Sequence, residues 1–162
     1  MMDRYQQKIE NMGLFLPDPL VLPQGVVLPF PFVNVRGDRA RISGHGPQNP
    51  DGSLAGPFGS VGKEVSPEEA CTSAKLTGLS ILASLKRELG SLERIIGWSH
   101  AFCMVKCAPG FENPPMVANG FSDLILEVFG NDIGRHARSA IGAEVLPFGI
   151  PVEIEGEVLI SS

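Results

Sequence analysis

The residues with the most chemical promise lie near the C-terminal end, where ARSAIGAEVLPFGIPVEIEGEVLI alternates apolar and polar positions on either side of Pro147-Phe148-Gly149-Ile150. The alternation predicts two strands joined at that turn. Side chains on a strand alternate in direction, so Ser139, Ile141, Ala143 and Val145 are expected to share a helix-facing side with Val152, Ile154, Val158 and Ile160. Arg138, Ala140, Gly142 and Glu144 then fall on the other side with Glu153, Glu155, Glu157 and Leu159. In a tight hairpin Arg138 and Glu153 stand about 20 Å apart at ~3.4 Å per residue, so they cannot meet within one chain. Two readings stay open: ordinary solvated charges on an exposed sheet, or a face buried by another subunit, where Arg138 and a neighbour's carboxylate frame a shared site.

Other chemistry-bearing residues are scattered. His45 sits in the loop GHGP, where imidazole could carry a proton near neutrality or simply be hydrogen-bonded for structure. His100 and His136 lack the H-x-x-x-H or H-E-x-x-H spacing that puts two ligands on one metal, so no metal site is expected. Cys71, Cys103 and Cys107 are an odd number without CxxC spacing, which argues against a disulfide framework or a four-ligand zinc site; packing is the expected role. The stretch from Gly59 to Lys63 lacks the phosphate-loop pattern, with Pro57 where glycine is required and Glu64 after the lysine.

The elements that would position these residues follow from composition and pattern. A chain of 162 residues fits one core, since chains divide only well beyond roughly 250 residues. Nineteen Gly and 14 Pro exclude a plain helix bundle. Thirteen basic against 18 acidic residues give a net charge of −5, which opposes the counterion release that drives nucleic-acid binding. The uncharged run from Pro19 to Val35 carries four prolines and would not span a bilayer as a helix. No secretion-signal order opens the chain, so a cytoplasmic protein with no membrane association is expected.

A short helix over 3–12 ends at Gly13, and an extended, proline-rich segment follows. FVNVRGDRARISG reads as a hairpin turning at Gly37-Asp38, with Ser43 ending its second strand. Residues 44–63 form a long loop. Ser66-Pro67-Glu68-Glu69 is a complete capping box, opening a helix that Gly90 terminates. IIGWSHAFCMVKC is a strand, and PPMVANGFSDLILEVFG a second core helix closed by Gly130. About six short strands, in the order ββαβαββ with both helices on one face of a single mixed sheet, define an α+β domain.

These residues carry a family resemblance: ARS at 137–139, LP at 146–147 and VEIE at 152–155, preceded by SG-x-G-P at 43–47 and V-x-N at 117–119. The chain resembles the RidA (YjgF) family, in particular its longer GHGP-containing branch of RidA-like, endoribonuclease L-PSP-like proteins. The resemblance spans roughly Pro31 to Ile160. It divides the chain into an N-terminal extension, 1–30, and one RidA-like domain, 31–162.

The resemblance implies a chorismate-mutase-like fold assembled as a homotrimer, with small-molecule clefts between subunits. It implies a cofactor-independent deaminase that hydrolyses enamino and imino acids to 2-keto acids and ammonia. Arg138 matches the family arginine that grips the substrate carboxylate, and Glu153 the acid that positions or deprotonates water. Ser43 and Asn119 match polar residues lining the cleft, which Phe32, His45 and Ala140 are expected to join. The chain departs from the family where deaminases have a tyrosine, offering only Phe30 and Phe32, and where they often have a cysteine, offering Ala140; His45 stands where glutamine is common. A more apolar pocket admits a bulkier acid or abolishes hydrolysis. The alternatives are a non-catalytic carboxylate-binding sensor or scaffold, and an endoribonuclease or translation inhibitor, as attributed to some relatives.

Overall fold

The computed structural model describes residues 3–162. Its elements run α1 (Arg4–Asn11), β1 (Val33–Arg36), β2 (Arg39–His45), α2 (Pro67–Leu89), β3 (Ile95–Lys106), α3 (Pro114–Gly134), β4 (Ala137–Ala143) and β5 (Val152–Ile160). From β1 onward the order is ββαβαββ, with five strands rather than about six, and α1 stands where the short helix over 3–12 is expected. One sheet holds the strands in the order β1-β2-β5-β3-β4.

Local signals account for most of these boundaries. Ser66 Oγ accepts from the Glu69 backbone N–H at 3.1 Å, and a Glu69 carboxylate oxygen accepts from the Ser66 N–H at 2.8 Å. Two orphan N–H groups are thereby satisfied at the start of α2. Gly90 caps its other end with a φ of 81°. In α3 Gly130, with φ 74° and ψ 175°, breaks the helix where it is expected to close, and a short helical stretch follows it to Gly134. β2 likewise runs past Ser43 to His45.

The expected final hairpin does not form. β4 pairs in parallel with β3, and β5 pairs antiparallel with the other side of β3. The eight residues between β4 and β5 carry the chain past the end of β3, through a 3-10 turn at Pro147–Gly149 where Phe148 has a φ of 57°. The faces change accordingly. Arg138, Ala140 and Gly142 lie opposite Ala101, Cys103 and Val105, all three of them buried. They therefore point to the helix side. Glu153 and Glu155 pair with Met104 and Phe102 on the open side.

α2 and α3 cover the first of these faces. Trp98, Ala101, Cys103 and Val105 of β3 meet Phe121, Leu124, Ile125 and Val128 of α3 in one core, with Trp98 and Phe121 edge to face at 5.7 Å. Helix α1 joins the same core through Tyr5 and Ile9, and the Tyr5 ring sits 4.5 Å from that of Phe129. The segment that follows α1 is extended and is strapped to the 47–55 loop by backbone bonds from Asp18 and Val21.

The two large helices pack tightly against each other at Gly120. A Cβ there would overlap the Cys71 carbonyl oxygen and lie 3.0 Å from its sulfur. Gly120→Ala should therefore push the helices apart and cost about 1–3 kcal/mol, read as a lower midpoint in urea unfolding with an unchanged slope.

Candidate functional site

Arg138 is the centre of the best-defined polar cluster. Pro115, Asn119 and Ser122 recur at four and three residues along α3, so they form one stripe, and that stripe lies over β4. The guanidinium donates from Nη1 to Asn119 Oδ1 at 2.9 Å and to Ser122 Oγ at 3.0 Å. From Nη2 it donates to the Pro115 carbonyl at 3.3 Å. All three acceptors are neutral, and no carboxylate of the described residues lies within ion-pair distance. Of five guanidinium N–H groups, Nε–H and one on Nη2 remain uncommitted. The cation is held in place without being neutralised.

Ser122 is itself oriented from behind. His136 Nδ1 stands 2.7 Å from the Gly134 carbonyl, and its Nε2 stands 3.0 Å from Ser122 Oγ. A carbonyl can only accept, so Nδ1 carries the proton, Nε2 accepts from the Ser122 hydroxyl, and the serine lone pairs are left for Arg138. Burial is the main cause holding His136 below its ordinary value, with Arg138 and His100 adding repulsion against the Gly134 carbonyl. Sequence reasoning missed both Ser122 and His136. The signal for Ser122 was its helical spacing of three from Asn119.

Glu153 occupies a different place. Its side chain lies across the bare Cα of Gly44, where a Cβ would stand 3.0 Å from the carboxyl carbon and 3.3 Å from Cγ. Burial raises its pKa, and the neighbouring Glu155 raises it further. Next to it, on the open face, a groove of about 490 Å³ is lined by Phe30, Asn34, Arg41, Ser43, His100 and Glu155. Ser43 donates its hydroxyl to the Pro31 carbonyl at 2.8 Å. Beside the groove Glu157 is nearly buried, held by Arg39 at 2.9 Å and Arg41 at 3.2 Å.

The expected site residues thus separate into three places. Arg138, Asn119 and Ala140 belong to β4 and the overlying helix. Glu153 and Ser43 belong to the open face, where Phe30 lines the groove with Ser43 and Phe32 meets Ser43 through its backbone carbonyl at 2.9 Å. His45 and Phe32 belong to a third place, their rings 4.9 Å apart, beside a cleft against α2. Two strand spacings and three residues of offset separate Arg138 from Glu153 by about 14 Å along the sheet, and they face opposite sides. Arg138 and Glu153 of one protomer do not form a common site.

His45 is a buried and hydrogen-bonded ring: Nδ1 donates to the Ser43 carbonyl at 2.6 Å and Nε2 accepts from Ser84 Oγ at 2.9 Å. Burial lowers its pKa to about 4, against the Ser43 carbonyl and with help from Arg87. In the unfolded chain the ring protonates near 6.5, so the unfolded state takes up the proton first as pH falls. Stability is accordingly expected to drop between pH ~6.5 and ~4 by about 3 kcal/mol. His45→Gln should flatten that part of a urea-unfolding pH series.

The cysteines are free thiols. Burial pushes Cys103 up to about 11, which makes it a poor nucleophile. Among the described residues no His, Cys, Asp and Glu side chains gather in a group of three or more that could hold a metal ion. No helix of the described residues is long and apolar enough to cross a membrane.

Comparison with known proteins agrees with this architecture. The chain matches no protein-family model. It is 36% identical over 122 residues to Protein TCP17 of Trypanosoma cruzi, covering 75% of each chain. A crystal structure of an Agrobacterium tumefaciens protein of unknown function superposes with a TM-score of 0.86 at 31% identity, covering 98% of this chain and 93% of the other. A Shewanella oneidensis structure described provisionally as an endoribonuclease gives 0.85 at 25% identity over 98% and 100% of the two chains. The YjgF gene product of E. coli shares the fold, at 0.59 and 16% identity over 90% and 97%. The fold, the strand order and these relatives place the chain in the RidA (YjgF) family, whose members also carry the name endoribonuclease L-PSP.

Proposed function

We propose that the protein is a cytoplasmic homotrimer that hydrolyses small imino or enamino acids to 2-keto acids and ammonia, at clefts where Arg138 of one protomer meets Glu153 of the next. The observation that carries this reading is the guanidinium fixed by Asn119, Ser122 and the Pro115 carbonyl with no carboxylate of the described residues within ion-pair distance. Its free Nε–H and Nη2–H are suited to a bidentate grip on a substrate carboxylate. The open sheet face supports the assembly. It exposes Ile96 and Ile141 beside half-buried Phe102 and Met104, and the covering subunit would complete each cleft.

In such a cleft Glu153, raised by burial, takes a proton from water as the water oxygen adds to the imine carbon. That proton passes to nitrogen to give a carbinolamine; Glu153 then moves the hydroxyl proton to nitrogen as well, the C–N bond breaks, and ammonia leaves as the carbonyl forms. No cofactor enters this chemistry. E. coli TdcF, which shares the fold at 17% identity, is known with serine bound, an amino acid with the kind of carboxylate assigned here to Arg138.

The test is incubation with 2-aminoacrylate generated enzymatically. The reading expects release of ammonia and 2-keto acid faster than in buffer, and equal rates would contradict it. The second reading, a non-catalytic carboxylate binder, is favoured by Phe30 and Ala140, which bring neither hydroxyl nor thiol to the cleft. It expects 2-ketobutyrate to bind without turnover of the imine. Ribonuclease activity, suggested by the names of relatives, is opposed by the net charge of −5 and by the carboxylates of the open face; an RNase-free preparation that leaves RNA intact would remove it.

A further inference from the structure

The arrangement that presents Arg138 occurs a second time in the chain, around Arg87 at the end of α2. Arg87 Nη2 donates to Ser84 Oγ at 3.1 Å, and Nη1 donates to the Pro17 carbonyl at 3.1 Å. Ser84 is turned by His45 Nε2, and His45 Nδ1 is anchored on the carbonyl two residues before it. Each part has its counterpart at Arg138: an arginine, a serine turned by a neutral histidine, a carbonyl at i−2 behind the ring, and a proline carbonyl as the second tether. In neither copy is the guanidinium within ion-pair distance of a described carboxylate.

Arg87 additionally borders a cleft of about 230 Å³, shared with Phe32, His45, Gln48, Ser84 and Glu88 and walled by Leu20 and Pro31. Partial burial disfavours its charge, and Asp18 offsets this only from beyond ion-pair distance. An arriving anion would restore what desolvation removes. Gln48 is nearly buried, with its amide nitrogen spent on the Asp18 and Gly52 carbonyls, which leaves its carbonyl oxygen as an acceptor. The Phe32 ring and the proline and leucine walls suit an apolar body. Glu88 on the rim works against a second negative charge.

We propose that this cleft is a second binding site, separate from the one at Arg138, for a small monocarboxylate with an apolar body. The hydrogen-bonded path from Arg87 through Ser84 and His45 ends on the Ser43 backbone, which links the cleft to the strand that also borders the open-face groove. The site stands whether or not the protein is a deaminase, because it uses neither Arg138 and the groups that hold it nor Glu153.

The test is titration of the full chain with benzoate, followed by amide NMR shifts. Wild type and Arg138→Ala are both expected to show shifts at His45, Gln48 and Ser84, with benzamide, the uncharged isostere, giving none. Arg87→Met should weaken this binding at least about tenfold, the equivalent of one charge-assisted hydrogen bond. Should that variant fold poorly by circular dichroism, Arg87→Lys keeps the charge and loses the planar fork, and is expected to bind several-fold more weakly. Absence of shifts at those residues in wild type, equal binding of benzamide, loss of the shifts in Arg138→Ala, or full affinity in both Arg87 variants would overturn the proposal.

Discussion

Arg138→Ala is expected to reduce carboxylate binding and imine hydrolysis by roughly 30-fold to several thousand-fold, which corresponds to about 2–5 kcal/mol for removing one member of a desolvated charge pair. The fold should survive. The residue is only half-buried, and it leaves behind Asn119 and Ser122, which are exposed and half-exposed and can turn to water. Arg138→Lys should fall between the two, since a lysine ammonium offers the charge without two parallel donors. Steady-state kinetics with an imine substrate, alongside thermal unfolding, separates lost chemistry from lost structure. Wild-type rates in the alanine variant would remove Arg138 from the site.

Glu153→Gln should lower kcat by about 10²–10⁴-fold if the carboxylate is the general base. Gly44→Ala supplies an independent route to the same loss. The added methyl would occupy the space of the Glu153 carboxylate and displace a flexible side-chain end, leaving the backbone undisturbed. Activity should therefore fall while stability changes little. The pH profile of the wild-type protein is expected to carry the matching sign. Because burial and Glu155 raise Glu153, kcat/KM should climb with pH through an ionisation above the ordinary carboxylate range, and that limb should vanish in Glu153→Gln.

The parts of the fold that could be read from sequence are those with local causes. Ser66 to Glu69 encodes a cap whose geometry involves only neighbours in sequence, and Gly37-Asp38 encodes the turn between β1 and β2. The C-terminal strands show where such reasoning stops. Alternation reports which residues share a side, but not which strand lies alongside. Two adjacent alternating runs suggest a hairpin, although β3 separates them. That reading places Arg138 on the open side, whereas the parallel pairing with β3 turns it toward α3. Glu157 does fall on the open side with Glu153 and Glu155, but alternation along one strand does not record that Arg39 and Arg41 of β2 close over it.

The site was legible only in its individual members. Arg138 and Asn119, singled out through family resemblance, are hydrogen-bonded partners. Ser43 and Glu153 share a neighbourhood around Gly44. His45 and Phe32 contribute to another cleft, because His45 is the last residue of β2 and its ring is held by Ser84 on α2, a contact 39 residues away in sequence. Ser122 and His136, which hold Arg138 from behind, carry no recognisable motif and emerge only when α3 is laid over β4.

The central claim is that Arg138 and Glu153 act together across a subunit boundary, and mixing inactive variants tests it most directly. Arg138→Ala and Glu153→Gln proteins would be unfolded together, reassembled in equal amounts and assayed for imine hydrolysis. If each cleft takes its arginine from one chain and its acid from the next, random assembly restores about a quarter of wild-type activity. Activity no higher than that of the two variants reassembled separately would contradict the account.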